Sequence, residues 1–295
     1  MREIEGVLIP VPTPFRGEDL ALDGLRENLA RWNQTDLAGY VVLGSTGEFP
    51  MLSEAERDQV LATAREATPG DKVFIAGTGA NSTQQTVRFT RRAAEMGAEV
   101  ALVITPYYFK RGFSPPATQL RHYRAVADAS PIPVFVYNFP QNTGINLDPE
   151  TVATLAEHPN IRGIKDSSGD IPQAAHIIHA TPKDFAVLVG AALAFLPALS
   201  VGAAGGILAL GNVAPREVSQ LYRLARAGRL EEAKEIAYRL VPVDRVVHGR
   251  YGIGGLKAAL DLQAAYGGPP RAPLAVPDGD AIEEIREILA TAGLL

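Results

Sequence analysis

A lysine at the end of an apolar run is the first residue in this sequence whose position suggests chemistry. Lys165 lies in the stretch IRGIKDSSG, Ile161–Gly169, just before a polar turn. An exposed lysine is almost fully protonated at pH 7, whereas an amine held out of water can stay partly neutral and attack a carbonyl carbon. Strand alternation places Gly163, Lys165 and Ser167 on one face and Asp166 on the other, so we do not expect Asp166 to pair with the ammonium. The competing interpretation is a structural ion pair.

The remaining lysines offer no comparable candidate. The chain has six lysines, and the other five fall in turns, loops or helices where we expect a solvated side chain: Lys72, Lys110, Lys183, Lys234 and Lys257. Lys165 is therefore the candidate nucleophile.

Two further motifs carry polar groups that could act with such an amine. Tyr137 ends an apolar run in VYNFPQNTG, and a buried phenol there could relay protons; a core tyrosine with a satisfied hydroxyl is the alternative. In GSTGE, two glycines flank Ser45 and Thr46, which allows the backbone amides to turn toward an anion. An ordinary turn would explain the second motif equally well.

The elements that must position these residues follow from the hydrophobic pattern. Short β-rich runs alternate with helical patterns, as expected of βαβ units on a parallel sheet. Eight runs occur, centred near Ile9, Val41, Phe74, Leu102, Phe135, Gly163, Val187 and Ile207. Helix starts are indicated by a capping box at Ser53 and Glu56, by Ser82, and by Pro149 and Pro215.

Eight such units predict an α/β fold, a (β/α)8 TIM barrel, with a doubly wound open sheet as the alternative. We assign residues 1–225 to the catalytic barrel and residues 226–295 to a C-terminal extension of three helices. In such a barrel, residues that follow the strands converge on one face, which adds Gly190 and Tyr108 to the candidates.

Composition and charge exclude several classes of partner. The formal net charge of −5 disfavours nucleic acid and anionic membranes, and the absence of cysteine excludes disulfides and thiolate chemistry. The uncharged segment Phe185–Pro215 is long enough to cross a bilayer, but its glycines and proline favour a buried strand, helix and strand. The N-terminal sequence does not look like a secretory signal, so we expect a cytoplasmic protein with no membrane partner.

Taken together, the motifs resemble the family of pyruvate-handling class I lyases that contains dihydrodipicolinate synthase and N-acetylneuraminate lyase. GSTGE, AGTGANST, VITPYY, VYNFPQNTG and GIKDSSGD occur in the family's order and approximate spacing across the chain. The resemblance implies a homotetramer, a dimer of dimers, that acts on a 2-oxo acid such as pyruvate without cofactor or metal.

The resemblance also implies roles for individual residues. Lys165 would form a Schiff base with the ketone, and Tyr137 would move protons in a relay with Ser45 and with Tyr108 of the neighbouring subunit. The amides of Ser45 and Thr46 would hold the substrate carboxylate. The remaining candidate substrate-binding residues are Asn142, Ser167, Gly190 and, through its backbone, Ile207.

One departure bears on the substrate. Dihydrodipicolinate synthases usually have an arginine at the position of Asn142, where it gathers the aldehyde's carboxylate, and an asparagine lacks that charge. On this ground we predict the branch of 4-hydroxy-2-oxoglutarate aldolase, which makes or cleaves pyruvate plus glyoxylate. The alternatives are 4-hydroxy-tetrahydrodipicolinate synthase, which condenses pyruvate with aspartate semialdehyde, and a 2-keto-3-deoxy sugar acid aldolase or dehydratase.

Three other interpretations stay open on the sequence. A phosphate-sugar enzyme would use glycines after the seventh and eighth strands. A metal hydrolase would use His176 and His179, although no carboxylate pattern accompanies them. A non-catalytic binding protein would leave the motifs as coincidence.

Overall fold

Eight parallel strands close into a barrel in the computed structural model, which describes residues 3–295. Each strand lies beside the next in chain order, and the last lies beside the first. The strands are β1 (Gly6–Pro10), β2 (Gly39–Val42), β3 (Val73–Gly77), β4 (Val100–Ile104), β5 (Val134–Asn138), β6 (Ile161–Asp166), β7 (Ala186–Val189) and β8 (Gly205–Ile207). All eight predicted strands are present, and the closure excludes the open doubly wound sheet. The first two residues of the predicted barrel lie outside the described residues.

Helices follow the strands, as the alternating pattern predicts. They are α1 (Leu22–Trp32), α2 (Glu54–Ala67), α3 (Thr83–Glu95), α4 (Lys110–Phe113), α5 (Pro116–Ala129), α6 (Pro140–Thr143), α7 (Pro149–Ala156), α8 (Ile171–Ala180), α9 (Phe195–Ser200), α10 (Pro215–Arg226), α11 (Leu230–Val243), α12 (Gly252–Leu262) and α13 (Gly279–Thr291). A short hairpin, Phe15–Arg16 with Asp19–Leu20, was not evident from the sequence. The (β/α)8 barrel with a C-terminal helical extension is confirmed.

Local capping interactions explain where several helices begin. Ser53 Oγ accepts from the Glu56 amide while a Glu56 carboxylate oxygen accepts from the Ser53 amide, which completes the predicted capping box. Ser82 accepts from the Gln85 amide at the start of α3. Pro149 and Pro215 are the first residues of their helices, where a missing amide proton has no cost.

The chain divides into two compact units. One consists of Val73–Ile207 with the N-terminal segment that ends at Gly6, and the other consists of Val7–Lys72 and Leu208–Leu295. In the first unit, apolar side chains of β4, β5 and β6 pack with those of α5 and α7, with Val136, Tyr123 and Leu155 buried in one cluster. The second unit contains α1, α2 and the C-terminal helices. The predicted division at residue 225 stays a prediction.

The uncharged segment Phe185–Pro215 forms short elements. It contains β7, α9 and β8, as the sequence favoured, with short 3₁₀ turns around them. Over residues 3–295, no helix is both long and apolar enough to cross a membrane.

Candidate active site

Lys165 and Tyr137 lie side by side on adjacent strands. They are register partners between β5 and β6, and Lys165 Nζ lies 4.3 Å from the centroid of the Tyr137 ring. Both residues are buried, with exposed fractions of 4% and 3%. No carboxylate among residues 3–295 forms an ion pair with Lys165, so the structural ion pair considered above is not present. A buried amine beside a phenol is an arrangement suited to carbonyl chemistry.

The neighbouring carboxylate is held elsewhere by a hydrogen-bond network. Asp166 Oδ1 accepts from Asn138 Nδ2 at 2.9 Å, and Asp166 Oδ2 accepts from Ser168 Oγ at 2.8 Å. Asn138 is fully buried, and its Oδ1 accepts from the Leu147 amide. Asn138 is among the polar residues that follow the predicted fifth strand in the sequence, but no role was assigned to it. The network confirms that Asp166 faces away from Lys165.

Ser167 and Gly190 lie next to each other and close to Lys165. A Cβ built on Gly190 would lie 1.9 Å from Ser167 Oγ and 2.9 Å from Lys165 Cε, so only glycine fits there. The Gly190 amide donates to Asp166 O, which fixes the turn after β7 against the end of β6. Ile207 ends β8 and is fully buried. Its predicted part in lining the pocket stays a prediction.

Tyr108 lies in the loop between β4 and α4, in the compact unit that contains Val73–Ile207. Asn81 Oδ1 accepts from the amides of Tyr107 and Tyr108, both at 3.0 Å, which sets the course of the loop. The Tyr108 ring is 73% exposed and packs edge-to-face against Phe109, itself 76% exposed, with 4.9 Å between ring centroids. Two adjacent exposed aromatic rings are unusual on a free surface and typical of interfaces.

Asn142 lies on α6, the short helix after β5, and is exposed. Gln141 Nε2 donates to Ser168 O, which ties this helix to the turn after Lys165. A Cβ built on Gly144 would lie 2.8 Å from Lys110 Nζ. A lysine ammonium therefore lies against the end of the helix that carries Asn142, a neighbour that the sequence did not reveal.

The GSTGE turn lies in the second compact unit. Its Gly47 and Glu48 amides donate to Gly44 O and Ser45 O within the turn. Within the described part of the chain, by contrast, the amides of Ser45 and Thr46 have no acceptor, which is what the predicted anion-binding role requires. Thr13, in the segment that follows β1, donates from its Oγ1 to Gly47 O at 2.7 Å and so supports the turn. How Ser45 and Thr46 act on a substrate stays a prediction.

The structure contradicts the expectation that the Lys257 side chain is solvated. We expected a solvated side chain, but Lys257 is fully buried, and its Nζ lies 2.5 Å from Glu48 Oε1, also fully buried. The helical pattern of α12 did not show this because the partner comes from the GSTGE turn, far earlier in the chain.

No metal centre is evident among residues 3–295, where no group of three His, Cys, Asp or Glu side chains could hold an ion. His176 and His179 are exposed on α8, and His176 Nε2 lies 3.9 Å from Glu150 Oε1. These two histidines therefore do not form the centre that a metal hydrolase would need.

A strand-end lysine beside a tyrosine in a (β/α)8 barrel defines a class of enzymes that work through a Schiff base. Comparison with known proteins then identifies the family, since the dihydrodipicolinate synthetase family matches residues 3–292. The 4-hydroxy-tetrahydrodipicolinate synthase of Methanospirillum hungatei is 40% identical over 290 residues, covering 97% of this chain and 98% of that protein. That of Methanoculleus marisnigri is 39% identical over 293 residues, covering 98% and 99%. The crystal structure of dihydrodipicolinate synthase from Thermotoga maritima has a TM-score of 0.95 at 30% identity and covers all of both chains.

The chain therefore belongs to the dihydrodipicolinate synthetase family and is a pyruvate-dependent class I lyase. The comparisons support the predicted alternative better than the predicted main branch. The relatives are named as 4-hydroxy-tetrahydrodipicolinate synthases, which favours that branch over the 4-hydroxy-2-oxoglutarate aldolases.

Proposed function

We propose that this enzyme is a 4-hydroxy-tetrahydrodipicolinate synthase, which joins pyruvate to aspartate semialdehyde through a Schiff base on Lys165. The observation that carries the proposal is the buried Lys165 amine, free of any carboxylate partner and 4.3 Å from the Tyr137 ring centroid. Similarity to the named synthases over nearly the whole chain supports the choice of reaction.

The chemistry uses the iminium as an electron sink. The neutral Lys165 amine adds to the ketone carbon of pyruvate, and loss of water gives the iminium. The pyruvate methyl group then loses a proton, and the resulting enamine attacks the aldehyde carbon and forms the new C–C bond. The amino group of the semialdehyde finally attacks the iminium carbon, closes the ring and releases Lys165. In this scheme Tyr137 carries the protons.

The other predicted residues have supporting roles in the proposal. The amides of Ser45 and Thr46 bind the pyruvate carboxylate, and the Ser45 hydroxyl continues the proton relay. Tyr108 completes that relay from a neighbouring subunit of a homotetramer, a role to which its exposed ring is suited. Ser167, Gly190 and Ile207 line the pocket. A cytoplasmic location stays a prediction.

The carboxylate of the semialdehyde needs a cation that Asn142 cannot supply. We assign this role to Lys110, whose Nζ lies against Gly144 at the end of α6. The Lys110 side chain is exposed, so it is free to turn toward a bound anion. A lysine provides a point charge in place of the two-pronged hydrogen bond that an arginine would make.

A second reaction is favoured by one observation, the asparagine at position 142. Cleavage of 4-hydroxy-2-oxoglutarate into pyruvate and glyoxylate involves a shorter aldehyde, which needs less reach from a cation. The two reactions share Lys165 and Tyr137 and differ only in the aldehyde.

The test compares kcat/KM for the two reactions on one enzyme preparation, with EDTA present because the mechanism needs no divalent metal. We expect the condensation with aspartate semialdehyde to have the higher value. Lys110→Gln should lower kcat/KM for the semialdehyde by about tenfold, the effect of losing one charged hydrogen bond. The control is Lys183→Gln, which replaces another exposed lysine and should leave kcat/KM unchanged.

Several outcomes would contradict the proposal. A cleavage reaction more efficient by tenfold or more would assign the enzyme to the aldolase branch. If neither reaction proceeds, a 2-keto-3-deoxy sugar acid becomes the substrate to assay. Restoration of activity by zinc after loss in EDTA would contradict the metal-free mechanism.

A further inference from the structure

A buried ion pair supports the turn that carries the free Ser45 and Thr46 amides. Lys257 Nζ lies 2.5 Å from Glu48 Oε1, and neither side chain is exposed to solvent. Lys257 Nζ also donates to Pro269 O at 3.0 Å. The contact is a buried ion pair in which Lys257 neutralises Glu48.

Glu48 is built into the turn through its backbone as well as its side chain. Its amide donates to Ser45 O at 3.1 Å, and its φ of 56° places it in the left-handed region that a non-glycine residue rarely adopts. Such a conformation persists only where surrounding contacts hold it.

The C-terminal extension supplies these contacts. The Arg271 amide donates to Glu48 Oε2 at 2.8 Å, and the Arg271 guanidinium donates to Met51 O and to Glu56 Oε1. The Phe15 ring lies against both cations, 4.5 Å from Lys257 Nζ and 4.3 Å from the Arg271 guanidinium carbon. α12 and the loop after it thus contribute Lys257 and Arg271 to the contacts of Glu48.

A charged carboxylate so close to an anion-binding turn must be neutralised. Glu48 follows Ser45 by three residues, and its negative charge would repel a substrate carboxylate bound to the free amides. Burial lowers the pKa of the Lys257 ammonium, and the nearby Glu48 carboxylate opposes that shift.

We propose that Lys257 is a positioning residue for substrate binding, one that neutralises Glu48 and holds the GSTGE turn in the form that binds the pyruvate carboxylate. The inference rests on the proposed function, because it takes pyruvate as the anion. It gives the C-terminal extension a part in substrate binding, although Lys257 does not touch the substrate.

The experiment measures how the reductive trapping of pyruvate by borohydride depends on pyruvate concentration. In Lys257→Met the concentration for half-maximal trapping should rise by about tenfold or more, since the Glu48 carboxylate, without the ammonium that lies against it, then opposes the substrate anion. Trapping at saturating pyruvate and kcat should stay within about threefold of wild type. Lys234→Met removes a lysine from an exposed ion pair with Glu231 and should change neither value.

Two further variants distinguish neutralisation from simple structural support and keep the test valid if Lys257→Met does not fold. Glu48→Gln leaves the Lys257 cation in place and should not raise the half-maximal concentration by more than about threefold. The double variant Glu48→Gln with Lys257→Met removes both charges and should bind pyruvate more tightly than Lys257→Met alone.

The inference is overturned if folded Lys257→Met binds pyruvate as wild type does, or if Glu48→Gln alone weakens binding by tenfold. It is also overturned if the double variant is as weak as Lys257→Met, because loss of support without a charge effect predicts that result. Failure of the wild-type enzyme to trap pyruvate at any concentration would instead contradict the proposed function.

Discussion

Lys165 and Tyr137 are register partners on adjacent parallel strands, and Lys165 Nζ lies 4.3 Å from the centroid of the Tyr137 ring. Register partners in a sheet point to the same side of it. The relationship therefore depends on strand pairing rather than on a loop, and it holds the amine and the phenol together before any substrate arrives. Preorganisation of this kind is what catalytic groups require.

Trapping of pyruvate should label Lys165. Pyruvate with sodium borohydride should add a mass to the protein, because reduction of the iminium makes the lysine adduct permanent. Peptide mapping should place the label on Lys165, Lys165→Met should abolish it, and Lys183→Met should retain it. A label elsewhere in the wild-type enzyme would refute the assignment of Lys165.

Tyr137→Phe should slow turnover by about 10² to 10⁴, the usual range for a removed proton-transfer group. The ring stays in place against Phe139, with which Tyr137 stacks at 5.7 Å between centroids, so the fold should be unchanged. Steady-state kinetics give the result, with Tyr238→Phe on the surface as the control. Turnover within a few-fold of wild type would mean that Tyr137 is only a core residue.

Gly190→Ala should impair the site more than it impairs the fold. Its new methyl group would lie 1.9 Å from Ser167 Oγ and 2.9 Å from Lys165 Cε, so both side chains must move. Overpacking of this kind typically costs about 1 to 3 kcal/mol of stability, and displacement of the lysine should lower kcat/KM by about 10²-fold.

Thermal unfolding and kinetics should be measured beside Gly70→Ala, where a methyl group meets open space. If kcat/KM of Gly190→Ala equals that of this control, the contact between Gly190 and Lys165 does not matter for catalysis.

His122 should make the protein less stable in acid. Burial lowers the pKa of His122 to about 4, and its Nδ1 lies 2.9 Å from Thr83 Oγ1. Between that value and the ordinary pKa of 6.5, the unfolded chain binds a proton that the folded chain does not, so stability is present above pH 6.5 and falls as the pH drops toward 4. The loss from this histidine should approach about 3 kcal/mol at the lower pH.

Urea unfolding at a series of pH values gives the free energy of unfolding for the wild type and for His122→Gln. The free energy of unfolding is plotted against pH, and the difference between the slopes of the two proteins gives the contribution of His122. The control is His179→Gln, which replaces an exposed histidine. Equal slopes for wild type and His122→Gln would show that His122 does not titrate as its burial requires.

Much of the fold could be predicted because the signals are local. Each strand of a barrel is an apolar run, and each lies beside the next in chain order, so sequence order becomes spatial order once the sheet closes. That is why the eight strands were all found and why Lys165 could be placed near Tyr137. The capping box at Ser53 and Glu56 spans three residues and was equally accessible.

The surroundings of two other lysines, Lys257 and Lys110, were decided only by tertiary structure. Nothing near Lys257 in the sequence distinguishes it from a solvated helical lysine, because the carboxylate that permits its burial comes from Glu48 in a distant turn. The exposed Lys110 meets Gly144 across two loops whose strands are neighbours, which no local pattern shows. Local pattern determined the elements of this protein and the strand-end residues that could do its chemistry. Burying a charge, however, requires a partner in space, and only the folded chain brings such partners together.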